Sequence, residues 1–308
     1  MLALLFSALL GNPIKHSVSH YMFNSFAQSL NMEYSHIKLN VENEYDLPNY
    51  MNSLREIGCC GFNVTLPYKR TILDYCDFVD STARKIGAVN TVAIRDNKFY
   101  GYNTDAKGAY LAIKSQLKEV KPKDKVVLIG SGGAARAIIY ELYSRTDNII
   151  IIVRNVVEAQ EVISDFKQKN RAPIKIKHFE DPCIFNDLLE ATFLVNATPV
   201  GMHPYTCESP LTIDLFTKVL EERSGRELYV FDVIFNPYLT SMLQVAKQHG
   251  AKTCSGLWMM INQGLEAFKL WTNKEVPINS IQNIHEDLKG IIANNYSIYE
   301  KRRLTNLD

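Results

Sequence analysis

A glycine-rich segment carries the clearest chemical signal in this sequence. Residues 130–135 read GSGGAA and directly follow an apolar run, Val126–Ile129. The spacing fits G-x-G-x-x-G/A, in which the first glycine permits a tight turn and the second lets the backbone approach a pyrophosphate. A helix that begins at this turn would direct its first N–H groups and its partial positive charge at the phosphates. The segment therefore predicts a dinucleotide-binding turn rather than a glycine-rich loop without a ligand.

The end of the next buried strand indicates which dinucleotide binds. NAD-binding folds usually carry Asp or Glu there, to hold the ribose 2′-hydroxyl. Here the strand at 148–153 is followed by Arg154 and Asn155. Because a guanidinium makes charge-assisted and often bidentate hydrogen bonds to phosphate, Arg154 favours the 2′-phosphate of NADP. NAD stays the alternative, because Glu158 follows closely and would repel a phosphate if it pointed inward.

A parallel sheet must position these residues, and the pattern along the chain predicts one. Strands and helices alternate, as in sheets whose strands are joined by crossover helices. The strands are expected at 126–129, 148–153, 174–178, 192–196 and 228–233, and two closing helices at about 256–271 and 278–293.

The N-terminal part of the chain predicts another α/β unit. Residues 1–10 are apolar, as expected for a parallel strand covered on both faces, and further strands are expected at 34–39 and 61–65. Ser17 or Ser19 would cap a helix that runs to about Leu30, and Pro67 would stand in a first helical turn. Residues 88–95 and 98–102 would form a hairpin around Asp96-Asn97.

The composition narrows the class of protein. The 308 residues include 34 Lys+Arg and 33 Asp+Glu, without the basic excess typical of duplex-binding proteins. A small-molecule partner is therefore expected, and a nucleic acid is not.

The six cysteines form no C-x-x-C pair, which predicts no metal site and favours the reducing cytoplasm. The apolar start is too short to span a bilayer and lacks the flanks of a signal peptide, so no membrane partner is expected.

Six motifs, in order along the chain, resemble those of the shikimate dehydrogenase family. They are GNPIKHSVS at 11–19, NVTLPYK at 63–69, GAVNT at 87–91, GYNTD at 101–105, NATPVGM at 196–202, and the block from Gly256 to Gln263. The resemblance implies two α/β domains, an N-terminal open sheet that binds substrate and a Rossmann-like domain that binds NADP, with a cleft between them. Residues 1–105 would bind substrate and catalyse, 106–255 would bind the dinucleotide, and the helices of 256–308 would pack back on the N-terminal domain.

The site residues of the family can be assigned to the matching positions of this sequence. By resemblance, Ser17 and Ser19 would bind the substrate carboxylate, and Thr65, Asn90 and Gln263 would bind its hydroxyls or ring carbonyl. Lys69 and Asp105 would be the catalytic pair. The cofactor would be held by Gly130, Gly132, Gly133, Ala134, Arg154, Asn155, Thr198, Val233 and Gly256.

The implied reaction is the reversible, NADPH-dependent reduction of 3-dehydroshikimate to shikimate, a step of chorismate and aromatic amino acid biosynthesis. Hydride addition to a ketone leaves negative charge on its oxygen, which the Lys69 ammonium would stabilise and protonate while Asp105 fixes the ammonium. Alone, Lys69 would be interpreted as a surface lysine and Asp105 as a helix cap. Their joint occurrence within the motifs favours the catalytic interpretation.

Three residues depart from the family pattern. Glu158 lies near the position where the family often has a second cation, and His20 replaces a common proline. Phe235 replaces a tyrosine near the substrate, which would remove one hydrogen bond worth about 1 kcal/mol. These changes leave open a quinate or dual quinate/shikimate dehydrogenase that uses NAD or NADP. A non-catalytic ligand-sensing homologue is a further alternative, and either a monomer or a homodimer fits the sequence.

Overall fold

The chain divides into two α/β units, which confirms the predicted fold class. The computed structural model describes residues 5–15, 17–164, 166, 173–223 and 225–305, without the side chains of residues 162 and 295–305. The first unit comprises residues 1–105 and 263–288, and the second comprises 106–262 and 289–308. The helix at Gly256–Thr272 thus contributes residues to both units.

A mixed sheet forms the centre of the first unit. Its strands are β1 Leu5–Gly11, β2 Tyr34–Asn40, β3 Gly61–Val64, β4 Phe78–Val79, β5 Thr91–Arg95 and β6 Lys98–Tyr102, in the order β2-β1-β3-β5-β6-β4. β1 is parallel to β2 and β3, β5 is antiparallel to β3 and β6, and β4 is parallel to β6. The helices of this unit are α1 Ser19–Gln28, α2 Leu47–Glu56 and α3 Ser81–Ile86, with short 3-10 helices at Glu44–Asp46 and Thr71–Tyr75.

Apolar side chains cover both faces of this sheet. Leu10 of β1 belongs to a buried cluster with Met51 of α2 on one face. On the other face, the ring of Phe23 in α1 lies 4.4 Å from His36 and 5.1 Å from Trp271. Because side chains alternate along a strand, residues two apart on β2 share the face that α1 covers.

The second unit contains a parallel sheet. Its strands are β7 Val126–Ile129, β8 Ile149–Val153, β9 Lys175–His178, β10 Phe193–Asn196, β11 Tyr229–Asp232 and β12 Lys252–Cys254, in the order β12-β11-β10-β7-β8-β9. Counted from β7, this is the 3-2-1-4-5-6 order of doubly wound dinucleotide-binding folds. The helices that begin in this unit, together with the boundary helix α4, are α4 Asp105–Gln116, α5 Gly133–Tyr143, α6 Val156–Ser164, α7 Ile184–Glu190, α8 Ile213–Glu222, α9 Ser241–Gln248 and α10 Gly256–Thr272.

Alternate residues of the central strands enter two different cores. Leu128 and Ile151 belong to a cluster on one face of the sheet, whereas Val127 and Ile150 belong to a cluster on the other. Since both faces are buried, β7 and β8 carry no polar side chain and read as continuous apolar runs. The last helix, α11, spans Ile278–Thr305. No helix in the described ranges has the length and apolar character needed to cross a bilayer.

The local predictions have mixed outcomes. The hairpin is confirmed, and both turn residues, Asp96 and Asn97, have positive φ, at 49° and 58°. The serine cap is wrong, because Val18 occupies the N-cap of α1 without a side-chain cap hydrogen bond. The helix expected at Pro67 is also wrong, since a 3-10 helix begins later, at Thr71. Residues 1–4 of the first predicted strand lie outside the described residues.

Candidate active site

The residues predicted to bind substrate and catalyse cluster at one edge of the first sheet. Thr65 and Lys69 follow the end of β3, and Asp105 follows β6, which runs in the same direction as β3. Asn90 immediately precedes β5, which runs in the opposite direction. The chain therefore brings the end of two strands and the start of a third to the same edge.

Lys69 and Asp105 form the predicted pair. Lys69 Nζ donates a hydrogen bond to Asp105 Oδ2 across 2.7 Å, the short distance typical of a charge-assisted bond. The side chains are 21% and 9% exposed, so water screens the pair less than it would a surface ion pair. The backbone carbonyl of Lys69 also accepts a hydrogen bond from Val89 N at 2.7 Å, which fixes the loop that carries the ammonium.

Asn90 connects the rest of the site to the carboxylate. Its Nδ2 donates to Asp105 Oδ1 at 2.8 Å, and its Oδ1 accepts a hydrogen bond from the backbone N–H of Thr104 at 2.7 Å. Gln263 of α10 enters the same network through Oε1, which lies 3.4 Å from Asn90 Nδ2 and 3.3 Å from Thr104 Oγ1. Both carboxylate oxygens of Asp105 are thus held by donors on different segments.

Thr104, Thr91 and Asn63 support this network, and sequence reasoning did not assign them. Thr104 Oγ1 lies 3.1 Å from Thr91 Oγ1, and Thr91 Oγ1 accepts from Asn63 Nδ2 at 3.0 Å. All three are buried, with exposed fractions of 6% or less. All three residues fall inside the motifs NVT, GAVNT and GYNTD. A polar residue at the end of a predicted buried strand was the sequence signal that could have identified them.

Ser17 and Ser19 form a second polar group of the same unit. Ser17 Oγ donates to Ser19 Oγ at 3.0 Å and accepts from Ser19 N at 3.2 Å. Backbone hydrogen bonds link the chain around this motif to the Thr65 segment, from Thr65 N to Leu10 O at 2.9 Å and from Asn12 N to Leu66 O at 3.0 Å. His16 of the same motif lies outside the described residues.

This set of groups suits the reduction of a polyhydroxylated ketone. An ammonium stabilises negative charge on a carbonyl oxygen and carries a proton that it can transfer. The carboxylate, amide and hydroxyl groups around it are the partners that ring hydroxyls require. Paired serine hydroxyls donate well to a carboxylate. The arrangement therefore fits an acid that carries hydroxyls and a ketone.

The predicted cofactor residues also share one edge, in the second unit. Gly130 follows β7, Arg154 follows β8, Thr198 follows β10, Val233 follows β11, and Gly256 follows β12. Strand order reverses between β7 and β10, and ligands of such sheets bind at the carboxyl ends of the strands at this switch point.

The glycine-rich turn has the backbone geometry that a pyrophosphate requires. Gly130 has φ +112°, and a Cβ added there would lie 2.9 Å from Thr198 Cγ2, so a larger residue would be strained. A Cβ at Gly132 or Gly133 would meet nothing within 4 Å. This backbone face is thus accessible where α5 begins, and the first N–H groups of α5, which include Ala134, lack intrahelical partners. The residues present fit a dinucleotide.

The segment after β8 combines opposite charges. Asn155 Oδ1 accepts the N–H of Glu158 at 3.2 Å, which is the geometry of a helix cap at the start of α6. Arg154 and Glu158 are both exposed. Arg154, the cation predicted to bind a 2′-phosphate, is thus exposed, and the acidic Glu158 lies in the helical turn that follows it.

A buried carboxylate fixes the loops after β10 and β11. Asp232, fully buried, accepts from Asn196 Nδ2 at 3.0 Å and from Thr240 Oγ1 at 2.7 Å. Asn196 Oδ1 in turn accepts from the backbone N and the hydroxyl of Thr198, at 3.0 and 2.7 Å. Burial raises the pKa of the Asp232 carboxyl to about 7, against the hydrogen bonds that lower it. The chain after β12 is also closely packed, since a Cβ added at Gly256 would lie 1.9 Å from Val233 O and only glycine fits there.

Two sequence profiles of known domains match this chain. The profile of the shikimate dehydrogenase substrate binding domain matches residues 9–92, and that of the shikimate 5′-dehydrogenase C-terminal domain matches residues 256–283. The matched ranges contain Ser17, Ser19, Lys69 and Asn90 in the first case and Gln263 in the second.

Whole-chain comparisons agree with these matches. A shikimate dehydrogenase (NADP(+)) of Methanocaldococcus jannaschii is 38% identical over 279 residues, which cover 89% of this chain and 94% of that protein. A solved shikimate dehydrogenase in complex with NADP+ superposes with a TM-score of 0.80 at 34% identity, covering 92% of this chain and 95% of the other. A shikimate 5-dehydrogenase of Thermus thermophilus, solved with NADP(H) and shikimate, has a TM-score of 0.78 at 30% identity, with coverage of 92% and 99%. This chain belongs to the shikimate dehydrogenase family of oxidoreductases.

Proposed function

We propose that this protein is an NADP-dependent shikimate dehydrogenase that reversibly reduces 3-dehydroshikimate to shikimate. The observation that carries the proposal is the pair of Lys69 and Asp105, joined at 2.7 Å and tied to Asn90. The relatives named as NADP(+)-dependent shikimate dehydrogenases, and the solved relative that holds NADP(H) and shikimate, support the choice of substrate and cofactor.

Lys69 supplies the proton of the reduction. The ammonium faces the ketone oxygen, stabilises the charge that develops there, and transfers a proton to form the hydroxyl. In the oxidation of shikimate, neutral Lys69 accepts that proton. Asp105 orients the ammonium and accepts a hydrogen bond from a neighbouring substrate hydroxyl. Ser17 and Ser19 bind the carboxylate, and Thr65, Asn90 and Gln263 bind the remaining oxygens.

NADPH, when bound, supplies the hydride. The residues that would hold it are those at the strand ends of the second unit. The turn Gly130, Gly132, Gly133 and Ala134 would bind the pyrophosphate, and Arg154 with Asn155 would bind the 2′-phosphate. Thr198, Val233 and Gly256 would line the remainder of the cofactor site.

A quinate or dual quinate/shikimate dehydrogenase that uses NAD or NADP is the second candidate. The position of Glu158 in the first turn of α6, after the exposed Arg154, favours it with respect to the cofactor, and Phe235 in place of the usual tyrosine favours it with respect to the acid. A carboxylate near the adenosine ribose would weaken the preference for a phosphorylated cofactor.

A steady-state assay on a grid of two acids and two cofactors separates these candidates. Shikimate and quinate are each oxidised with NADP+ and with NAD+, and kcat/KM is measured from the rise in reduced-nicotinamide absorbance. The proposal expects the highest value for shikimate with NADP+. A preference for quinate supports the second candidate, and binding of shikimate without turnover at any pH would support a ligand-sensing homologue instead.

We further propose a cytoplasmic enzyme that is a monomer or a homodimer. All six cysteines are free, which suits a reducing compartment. Cell fractionation tests the location, and light scattering on the purified protein tests the oligomeric state.

A further inference from the structure

Lys38 of β2 lies beside the serine segment, and the assigned site does not include it. Its Nζ donates to the backbone carbonyl of Ser17 at 3.1 Å and to that of Lys15 at 3.3 Å. The residue is half-buried. Its ammonium therefore holds, by two backbone contacts, the loop that presents the hydroxyls of Ser17 and Ser19.

The fold directs this lysine toward the start of α1. Lys38 pairs with Leu9 of β1 and lies two residues after His36, which packs against Phe23 of α1. Residues two apart on a strand project from the same face, so Lys38 lies on the α1 side of the sheet. Lys38 is also closer than His36 to the C-terminal end of β2. Its contact with Ser17 lies just before α1, which begins at Ser19.

The ammonium has no acidic partner within the described part of the chain, where its two hydrogen-bond acceptors are neutral carbonyls. An ammonium carries three donors, so one remains for a further acceptor. Burial lowers the pKa of Lys38, as expected for a cation removed from water without a counter-ion. The neighbouring His20 does not add charge near neutral pH, because burial and the nearby Lys38 lower its pKa. A half-buried cation in this setting is stabilised by an anion that binds beside it.

We propose that Lys38 is a specificity-determining residue, which selects an acid as substrate by placing positive charge behind the serine hydroxyls that bind its carboxylate. The inference rests on the proposed function, because it assumes that Ser17 and Ser19 receive the carboxylate. Lys38 acts in two ways. It fixes the backbone of the serine segment, and it attracts the carboxylate electrostatically.

The test compares an acid with its uncharged ester in charge variants of Lys38. Shikimate and methyl shikimate are oxidised with NADP+ by the wild type, by Lys38→Met, which keeps the length of the side chain, and by Lys38→Arg, which keeps its charge. Lys98→Met, at an exposed lysine of β6, is the matched control.

We expect Lys38→Met to raise the KM for shikimate about 10-fold, the loss typical of one charge-assisted hydrogen bond, while the KM for the ester changes little. Lys38→Arg restores the preference for the acid, and Lys98→Met does not alter it. Equal losses for acid and ester in Lys38→Met indicate a structural role alone, and KM values that stay at the wild-type level for both substrates show no role; either result overturns the proposal.

If Lys38→Met does not fold, the salt dependence of the wild type still tests whether the acid is selected by electrostatic attraction. Screening should raise the KM for shikimate as ionic strength increases, and leave the KM for the ester nearly constant. If the wild type does not turn over shikimate, the proposed function fails, and calorimetric binding of acid and ester then tests Lys38 separately. Absence of any preference for the acid in that binding assay would overturn the inference.

Discussion

Asp105 Oδ2 lies 2.7 Å from Lys69 Nζ, although 36 positions separate the two residues in sequence. The other carboxylate oxygen, Oδ1, accepts a hydrogen bond from Asn90 Nδ2 at 2.8 Å, so each oxygen has a donor from the protein. In the proposed mechanism the pair combines a proton donor with the group that fixes its direction, an arrangement that suits general acid catalysis of ketone reduction.

Asp105→Asn should lower kcat by about 100-fold, in the range of a lost acid–base function, because the ammonium loses the anion that orients it. Stopped-flow measurement of the reduced nicotinamide, with both substrates saturating, isolates this effect from binding. Asp96→Asn, at the exposed hairpin turn where asparagine tolerates a positive φ, is the control and should keep the wild-type rate. Retention of the full rate in Asp105→Asn would exclude a role for the carboxylate in turnover.

Cofactor selectivity should depend on two opposed charges after β8. Arg154→Gln is expected to lower the ratio of kcat/KM for NADP+ over NAD+ by about 10-fold or more, through loss of a charge-assisted phosphate contact. Glu158→Gln should raise the ratio by a few-fold, because a repulsive charge is removed. Glu161→Gln, which changes an exposed acid later in α6, is the control. If Arg154→Gln leaves the ratio unchanged, Arg154 does not bind the 2′-phosphate.

Stability should fall with rising pH through the titration of Asp232. Its folded pKa of about 7 lies above the ordinary value of 3.8, so the folded state holds a proton that the unfolded state releases in this window. The free energy of unfolding contributed by this group is therefore greatest below pH 4, declines between about pH 4 and 7, and is constant above. Urea unfolding at pH 5, 6, 7 and 8 should show the wild type losing stability relative to Asp232→Asn, by on the order of 1–3 kcal/mol. A pH-independent difference between the two proteins would contradict this assignment.

Arg223 should be essential for stability although it lies outside the site. Its guanidinium, in a residue 4% exposed, donates to the backbone carbonyls of Leu188 and Ala191, each at 2.6 Å, and to those of Leu189 and Glu227. Arg223→Met removes the guanidinium donors from these four carbonyls, three of which lie at the end of α7, and should cost about 2–4 kcal/mol of unfolding free energy. Arg226→Met, at an exposed arginine nearby, should cost less than about 0.5 kcal/mol. Equal midpoints for the two variants in chemical denaturation would show that these hydrogen bonds contribute nothing.

Local pattern predicted the elements well where the pattern is strong. The buried strand Val126–Ile129 and the hairpin around Asp96 lie where the sequence placed them, because apolar runs and turn residues act over short distances. β4 and β12, of two and three residues, escaped prediction because such short strands show little periodicity. Each is defined by its pairing with a longer neighbouring strand, β4 with β6 and β12 with β11.

The site was predicted less completely, because its geometry depends on contacts between distant segments. Lys38 contacts Ser17 across 21 positions, and Gln263 reaches Asn90 across 173. No local period encodes either contact. The motifs identified Lys69 and Asp105 as candidates, but the supporting hydroxyl of Thr104 emerged from the folded structure.

The proposed mechanism is tested most sharply by the rate of hydride transfer in Lys69→Ala, measured in a single turnover alongside the equilibrium binding of shikimate and NADP+. Lys85→Ala, at an exposed lysine of α3, serves as the control. We predict that Lys69→Ala lowers the single-turnover rate by about 10²–10⁴-fold while both ligands still bind. A Lys69→Ala protein that transfers hydride at the wild-type rate would contradict the assignment of Lys69 as the proton donor.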